Sequence, residues 1–269
     1  MEPKVNIALE AARKGCKELL NFKDEIDKMD IIEKGPTDYV TELDKRVEEI
    51  IISSLRKTYP NHSYLSEEAG IIKGKDNDSI WVIDPLDGTT NYIHGFPVYC
   101  VSIALKIKGR LELAVIYDPS RQELFTAIRG MGSLLDGRRI RVSKQTTLEG
   151  SLLGTGFPYR DQSDWLEVYL DIFTDFTKIV GAIRRPGSAA LDLAYVAAGR
   201  YDGFWEFGLK PWDVAAGVLL IQEAGGLVEN LIPGQDPVDS GSLLCGTPKI
   251  FDAMKEIVSK YDNRLEKLF

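Results

Sequence analysis

At 269 residues, with 44% hydrophobic and 28% charged side chains, the chain has the length and balance of a folded body with a sizeable core, and no low-complexity or charge-dense stretch suggests disorder. The net charge of −8, from 41 acids against 33 bases, is the wrong overall sign for a protein whose main partner is duplex nucleic acid. Two histidines (His62, His94) and three scattered cysteines (Cys16, Cys100, Cys245) argue against a zinc cluster or a disulfide framework, so a bound metal would be held by oxygen, as suits Mg²⁺, Mn²⁺ or Ca²⁺.

Ile7, Ala8, Ala11, Ala12, Cys16, Leu19 and Leu20 recur at helical spacing and predict an amphipathic helix over residues 5–20. A polar loop, Glu33-Lys34-Gly35-Pro36-Thr37-Asp38, leads to a second helix beginning near Thr41, with Val47, Ile50, Ile51 and Leu55 on its apolar side. Ile80 to Ile83 has the β-branched content of a buried strand. Pro85 cannot donate to a ladder, so Asp84 is expected at the strand's carboxyl end, the edge of an α/β sheet where ligands bind. Runs at 98–107, 111–117 and 123–128, parted by Lys108-Gly109-Arg110 and Asp118-Pro119-Ser120, predict an antiparallel meander.

Beyond Gly150 helices and strands alternate: strand 151–155, helix 165–176, strand 178–183, helix 189–198, strand 202–207, helix 211–224, then a last strand and helix after Leu243. No internal repeat is visible. The pattern predicts a single layered α/β body over residues 1–269, with halves of about 1–145 and 146–269 and the Asp84 edge near their junction. No apolar run approaches the roughly 18 residues that span a bilayer, and Met1-Glu2-Pro3-Lys4-Val5 lacks a signal-peptide core. The expected location is the cytoplasm, without membrane attachment.

Four acidic elements carry the chemistry, and each also has a plain explanation. Asp84 and Asp87 lie three residues apart before Gly88-Thr89-Thr90, a pattern that also makes an ordinary hydrogen-bonded turn. Glu67-Glu68 suits a solvated pair, Asp213 in Pro211-Trp212-Asp213 suits a helix amino end, and Asp44 completes a Thr41-x-x-Asp44 capping box. Together they suit divalent cations acting on a phosphate, which need carboxylates from separate segments and, in two-metal sites, an acid shared between ions about 3.5–4 Å apart. A Thr hydroxyl beside an Asp can orient an attacking water, and Thr89 with Asp44 are the candidates. Gly130-Met131-Gly132-Ser133-Leu134-Leu135 lacks the final Gly of a dinucleotide fingerprint, and no phosphate-binding P-loop pattern occurs.

The segments Trp81 to Asn91, Ser66-Glu67-Glu68, Pro211 to Gly217 with Glu223-Ala224-Gly225-Gly226, Lys34 to Thr41 and Arg185-Pro186-Gly187-Ser188-Ala189-Ala190 together resemble the inositol monophosphatase family over essentially the whole chain. The resemblance implies an αβαβα sandwich shared with fructose bisphosphatases, and Mg²⁺-dependent hydrolysis of myo-inositol monophosphate or a related sugar phosphate by metal-activated water. By the same resemblance Glu67, Asp84 and the Leu86 carbonyl hold one Mg²⁺, and Asp84, Asp87 and Asp213 a second. A third, weaker ion lies near Glu67, with Lys34 on a loop beside it; Mn²⁺ is an alternative cation. Thr89 and Asp44 activate the water. Asp87, Gly88, Thr89, Arg184, Ala189, Glu206 and Asp213 contact the substrate, Glu206 recognising a hydroxyl.

Lithium inhibition and a homodimer are implied likewise. Related substrates are fructose 1,6-bisphosphate, adenosine 3′,5′-bisphosphate and histidinol phosphate. One bacterial branch of the family is a ribosomal RNA antitermination factor that binds the transcription machinery, and residues Ser188 to Arg200 resemble that branch. Arg138-Arg139-Ile140-Arg141 and Arg184-Arg185 are candidate basic surfaces for such a partner, although the former equally suits a solvated hairpin.

Overall fold

Residues 113–116, Leu-Ala-Val-Ile, form a continuous apolar run in a strand that is buried on both its faces, and this sets up the layers. A computed structural model describes residues 3–23, 31–35, 38–157, 163–231 and 234–267, with the backbone course alone at 31–35, 38–41 and 163–164. The chain runs through α1 (Pro3–Phe22), the antiparallel pair β1 (Ile31–Gly35) and β2 (Asp38–Thr41), and α2 (Glu42–Thr58). Then come β3 (Ser63–Ser66), β4 (Gly70–Ile72), β5 (Ser79–Asp87), a short α3 (Thr89–Ile93), β6 (Cys100–Ile107), β7 (Arg110–Asp118), β8 (Glu123–Ile128), β9 (Gly132–Leu135) and β10 (Arg138–Arg139). The remainder is β11 (Leu152–Thr155), α4 (Ser163–Thr177), β12 (Ala182–Arg184), α5 (Ala189–Ala197), β13 (Gly203–Glu206), α6 (Pro211–Glu223), β14 (Leu227–Asn230), α7 (Pro237–Ser240), β15 (Leu243–Gly246), α8 (Pro248–Val258) and α9 (Asp262–Leu265).

Eight strands form one sheet in the order β10-β9-β8-β7-β6-β5-β3-β4, and five form another in the order β12-β11-β13-β15-β14. Successive side chains on a strand face opposite ways. Thus Val101, Ile103, Leu105, Leu113 and Val115 pack with the apolar stripe of α1 (Val5, Ala8, Ala12, Cys16, Leu19) and with Val47, Ile51 and Leu55 of α2. The alternate residues Cys100, Ala104, Ala114 and Ile116 pack instead with α5 and α6. These two helices lie between the sheets, which is why residues 189–197 and 214–221 are buried all round. The second sheet's outer face packs Leu153, Trp205 and Leu244 against Val168, Ile172 and Phe176 of α4 and Ile250, Met254 and Ile257 of α8. The result is the expected five-layer αβαβα sandwich. Among the described residues no helix is long and apolar enough to cross a membrane, and the three cysteines are free and buried.

Three sequence expectations shift. Pro85 disturbs pairing without ending the strand: β5 runs to Asp87, with its register against β6 irregular between Asp84 and Asp87. The strand expected over 178–183 is confined to Ala182–Arg184, because the amides of Ile179 and Val180 bond back to the Phe176 carbonyl and close the end of α4. The polar loop expected over residues 33–38 is in part an antiparallel pair, with Glu33 to Gly35 in β1 and Asp38 opening β2, while residues 70–72 pair with β3 as an edge strand.

Candidate active site

Glu67, Asp84, Leu86, Asp87, Gly88, Thr89, Ala189, Glu206 and Asp213 line one cavity of about 410 Å³. They come from the β3–β4 turn, the carboxyl end of β5, the start of α3, the first residue of α5, the end of β13 and the first turn of α6. Asp44, buried in the first turn of α2, joins them through Thr89. Arg184 does not line the cavity: it is exposed, and its guanidinium donates to the carbonyl of Ile183 (3.1 Å). The neighbouring Arg185 lines the cavity instead, with its guanidinium over the Phe157 ring at 5.6 Å. Of Lys34 only the backbone is described, so its side chain lies outside the described residues.

The bend between Asp84 and Asp87 is built locally. Asp84 Oδ1 accepts the Leu86 amide at 2.9 Å, the short-range turn that Asp favours. Gly88 then takes the left-handed conformation (φ 100°), where a Cβ would stand 2.8 Å from the Val98 carbonyl oxygen, so both the torsion and the space demand glycine. The Thr89 hydroxyl is 3.2 Å from Asp44 Oδ1 and 3.1 Å from the Leu86 carbonyl oxygen, and its one proton serves either acceptor. Asp213 is a helix-capping residue as well: its Oδ2 accepts the Lys210 amide at 2.7 Å.

One oxygen from each of Asp84, Asp87 and Asp213 lies within 4.8 Å of the others. Such crowding is unfavourable for three anions. Burial, and then the charges of Glu67, Asp87 and Asp213, push Asp84 well above the usual carboxylate range, against the opposing Leu86 amide. Burial and the Asp213 charge push Asp87 up to about 7, although the Ser188 hydroxyl and the amides of Ala190 and Ala189 favour its charged form. This all-oxygen donor set fits a hard divalent cation, whose ligands stand about 2.0–2.6 Å from it and whose charge would reverse the cost of ionising the cluster.

Several supporting residues had no place in the sequence reading. Ser188 Oγ donates to Asp87 Oδ2 at 2.6 Å and the Ala190 amide donates to the same oxygen at 2.7 Å, tying the start of α5 to the end of β5. Asn91 Nδ2 is 2.7 Å from the Val98 carbonyl, 2.9 Å from that of Pro186 and 3.2 Å from that of Gly187. Glu48 accepts the Glu68 and Ala69 amides at 2.9 Å each and so clamps the turn that carries Glu67; burial pushes its carboxyl up. A signal for Glu48 existed, since it falls on the apolar stripe of α2 between Val47 and Ile51, where an unpaired acid would be costly.

Five alternating layers around an acid cluster, with Asp84 buried and Asp87 and Asp213 half-buried, and a Thr–Asp pair beside it define a class, the metal-dependent phosphatases of sandwich type. Residues 1–263 match the model of the inositol monophosphatase family, and the chain belongs to that family. The Nus factor SuhB of Pseudomonas aeruginosa is 53% identical over 257 residues, 94% of this chain and 95% of that protein. Among solved structures, the extragenic suppressor protein suhB from Bartonella henselae superposes with a TM-score of 0.91 at 41% identity, covering 95% of this chain and 98% of that one. The inositol monophosphatase from Anabaena gives a TM-score of 0.84 at 40% identity, covering 95% of both chains.

Proposed function

We propose that the chain is a Mg²⁺-dependent phosphatase of myo-inositol monophosphate, acting in the cytoplasm as a homodimer. The observation that carries this reading is the meeting, in one small-molecule-sized cavity, of the Asp84, Asp87 and Asp213 oxygens with the Thr89–Asp44 hydrogen bond. Asp84, Asp87, Asp213, Glu67 and the Leu86 carbonyl would hold two Mg²⁺ ions, with a third near Glu67 and Lys34. When bound, the cations offset the negative charge of the phosphoryl oxygens and favour the ionised form of nearby water.

The protein groups do the positioning. Thr89 holds a water in line with the ester bond, and Asp44 draws off its proton through the Thr89 hydroxyl as the water oxygen bonds to phosphorus. The ester P–O bond breaks on the opposite side, the leaving alcohol oxygen takes a proton from solvent water, and Asp44 returns the proton it drew off to solvent. The Gly88 and Thr89 amides receive the phosphate, while Ala189 and Glu206 face the alcohol. Phosphate release from myo-inositol 1-phosphate, fructose 1,6-bisphosphate and adenosine 3′,5′-bisphosphate, with Mg²⁺ and with or without Li⁺, tests this. Best turnover of the inositol ester, inhibited by Li⁺, supports the reading, and best turnover of the nucleotide overturns the substrate assignment.

A second reading is favoured by the 53% identity to a Nus factor: a binding role in transcription that uses a surface and not the acids. The exposed basic edge Arg138, Arg139 and Arg141 is its candidate contact. Asp87→Asn should abolish phosphate release and leave capture of transcription-complex components unchanged. Loss of both would argue against separable roles.

A further inference from the structure

Asp192, in the first turn of α5, belongs to none of the groups used above. It is only 1% exposed, yet it lines the same cavity, and its Oδ1 has no hydrogen-bond partner. Its backbone amide already bonds to the Ser188 carbonyl at 3.0 Å, so the helix does not need the side chain to hold this turn. The flanking residues Leu191 and Leu193 are fully buried, and an apolar residue at 192 would satisfy packing alone. A carboxylate early in a helix is ordinarily favoured by the helix dipole. Here burial outweighs that: it pushes the carboxyl well above its usual range, the charges of Glu206 and Asp87 add to the effect, and Arg185 opposes it. A carboxyl whose charged form is disfavoured in this way takes up a proton more readily than an exposed one, and a protonated carboxyl offers a donor and an acceptor together.

Glu206 stands beside it. A Cβ at Gly156 would come within 1.9 Å of Glu206 Oε1, so the carboxylate fills the space that any other residue at 156 would occupy. Gly156 and Glu206 both line the cavity. The cavity wall thus carries two acids that act on each other, Glu206 and Asp192, the latter with a buried Oδ1 that no protein group satisfies. Adjacent hydroxyls of a polyol are donors and acceptors at once, and they complement such a pair. A phenyl or simple alkyl group leaves the Asp192 Oδ1 unsatisfied.

We infer that Asp192 is a specificity-determining residue that, together with Glu206, receives neighbouring hydroxyls of the alcohol and selects polyol phosphates over esters of phenols and simple alcohols. This rests on the phosphatase reading above. The test is kcat and KM for myo-inositol 1-phosphate and for phenyl phosphate, with Mg²⁺, in the wild type and in Asp192→Leu, Asp192→Ala and Asp192→Asn, with Tm recorded for each. The polyol-to-phenyl ratio of kcat/KM should fall about tenfold or more in the Leu and Ala variants, chiefly through KM, because hydroxyl recognition needs the buried polar partner. The Asn variant, whose amide restores a donor and an acceptor, should recover the ratio to within about threefold of wild type. The Ala variant answers the question where leucine disturbs packing. An unchanged ratio in the Leu and Ala variants, or equal losses on both esters, overturns the inference and leaves the phosphatase reading standing; release of phosphate from neither ester by the wild type overturns both.

Discussion

Asp87 depends on a residue 101 positions away: the Ser188 hydroxyl and the Ala190 amide share its Oδ2, and they fix which way its other oxygen faces. Partners behind a metal ligand commonly alter affinity 10- to 100-fold, so Ser188→Ala should weaken Mg²⁺ activation about tenfold with the fold intact, as read from the Mg²⁺ concentration for half-maximal rate. Thr89→Ala removes the hydroxyl between Asp44 and the water, and kcat should drop about 100- to 10,000-fold with little change in melting temperature. A drop below fivefold would remove Thr89 from the chemistry. The acids themselves were legible in the sequence because Asp84-x-x-Asp87-Gly88 and Pro211-Trp212-Asp213 are local patterns. Ser188, Asn91 and Glu48 were not, because each acts on backbone or side chains that only the tertiary fold brings near.

Long patterned stretches gave themselves away: α1 and α2 follow from their amphipathic spacing, and the β6–β8 meander from apolar runs parted by turns. What spacing did not show was where a helix touches. Residues 189–197 and 214–221 are apolar on all sides because they lie between two sheets, and they cross so closely that a Cβ on Gly217 would stand 2.4 Å from Leu193 Cβ. Gly217→Ala should therefore cost about 1–3 kcal/mol in denaturant unfolding, despite the better helix propensity of alanine. Short edge strands such as β4, β10 and β14 carry too few residues for any periodicity, and pairing alone defines them. Pro85 illustrates a local rule that was half right: it breaks the β5–β6 register but leaves Asp87 in the strand, which sets the two acids on one bend.

At the scale of the whole molecule, separate segments bring like charges together at Asp84, Asp87 and Asp213. With Asp84 and Asp87 raised above an unfolded value of about 3.9, the cation-free fold binds more protons than the unfolded chain, so their contribution to stability declines as pH rises from about 4 through about 7. A cation that binds the ionised cluster offsets this. The rise in melting temperature on adding saturating Mg²⁺ should therefore be larger at pH 8 than at pH 5.5, and equal rises at both would contradict the coupling.

The most direct measurement is phosphate release from myo-inositol 1-phosphate across a Mg²⁺ titration, with a chelator as the zero point, in the wild type and in Asp213→Asn. The wild type should show saturable activation from a chelated baseline near zero, and Asp213→Asn should need at least about tenfold more Mg²⁺ or lose activity. Release that persists under chelation, or a titration curve unchanged by Asp213→Asn, would contradict the assignment of the Asp84, Asp87 and Asp213 cluster as the cation site of a phosphatase.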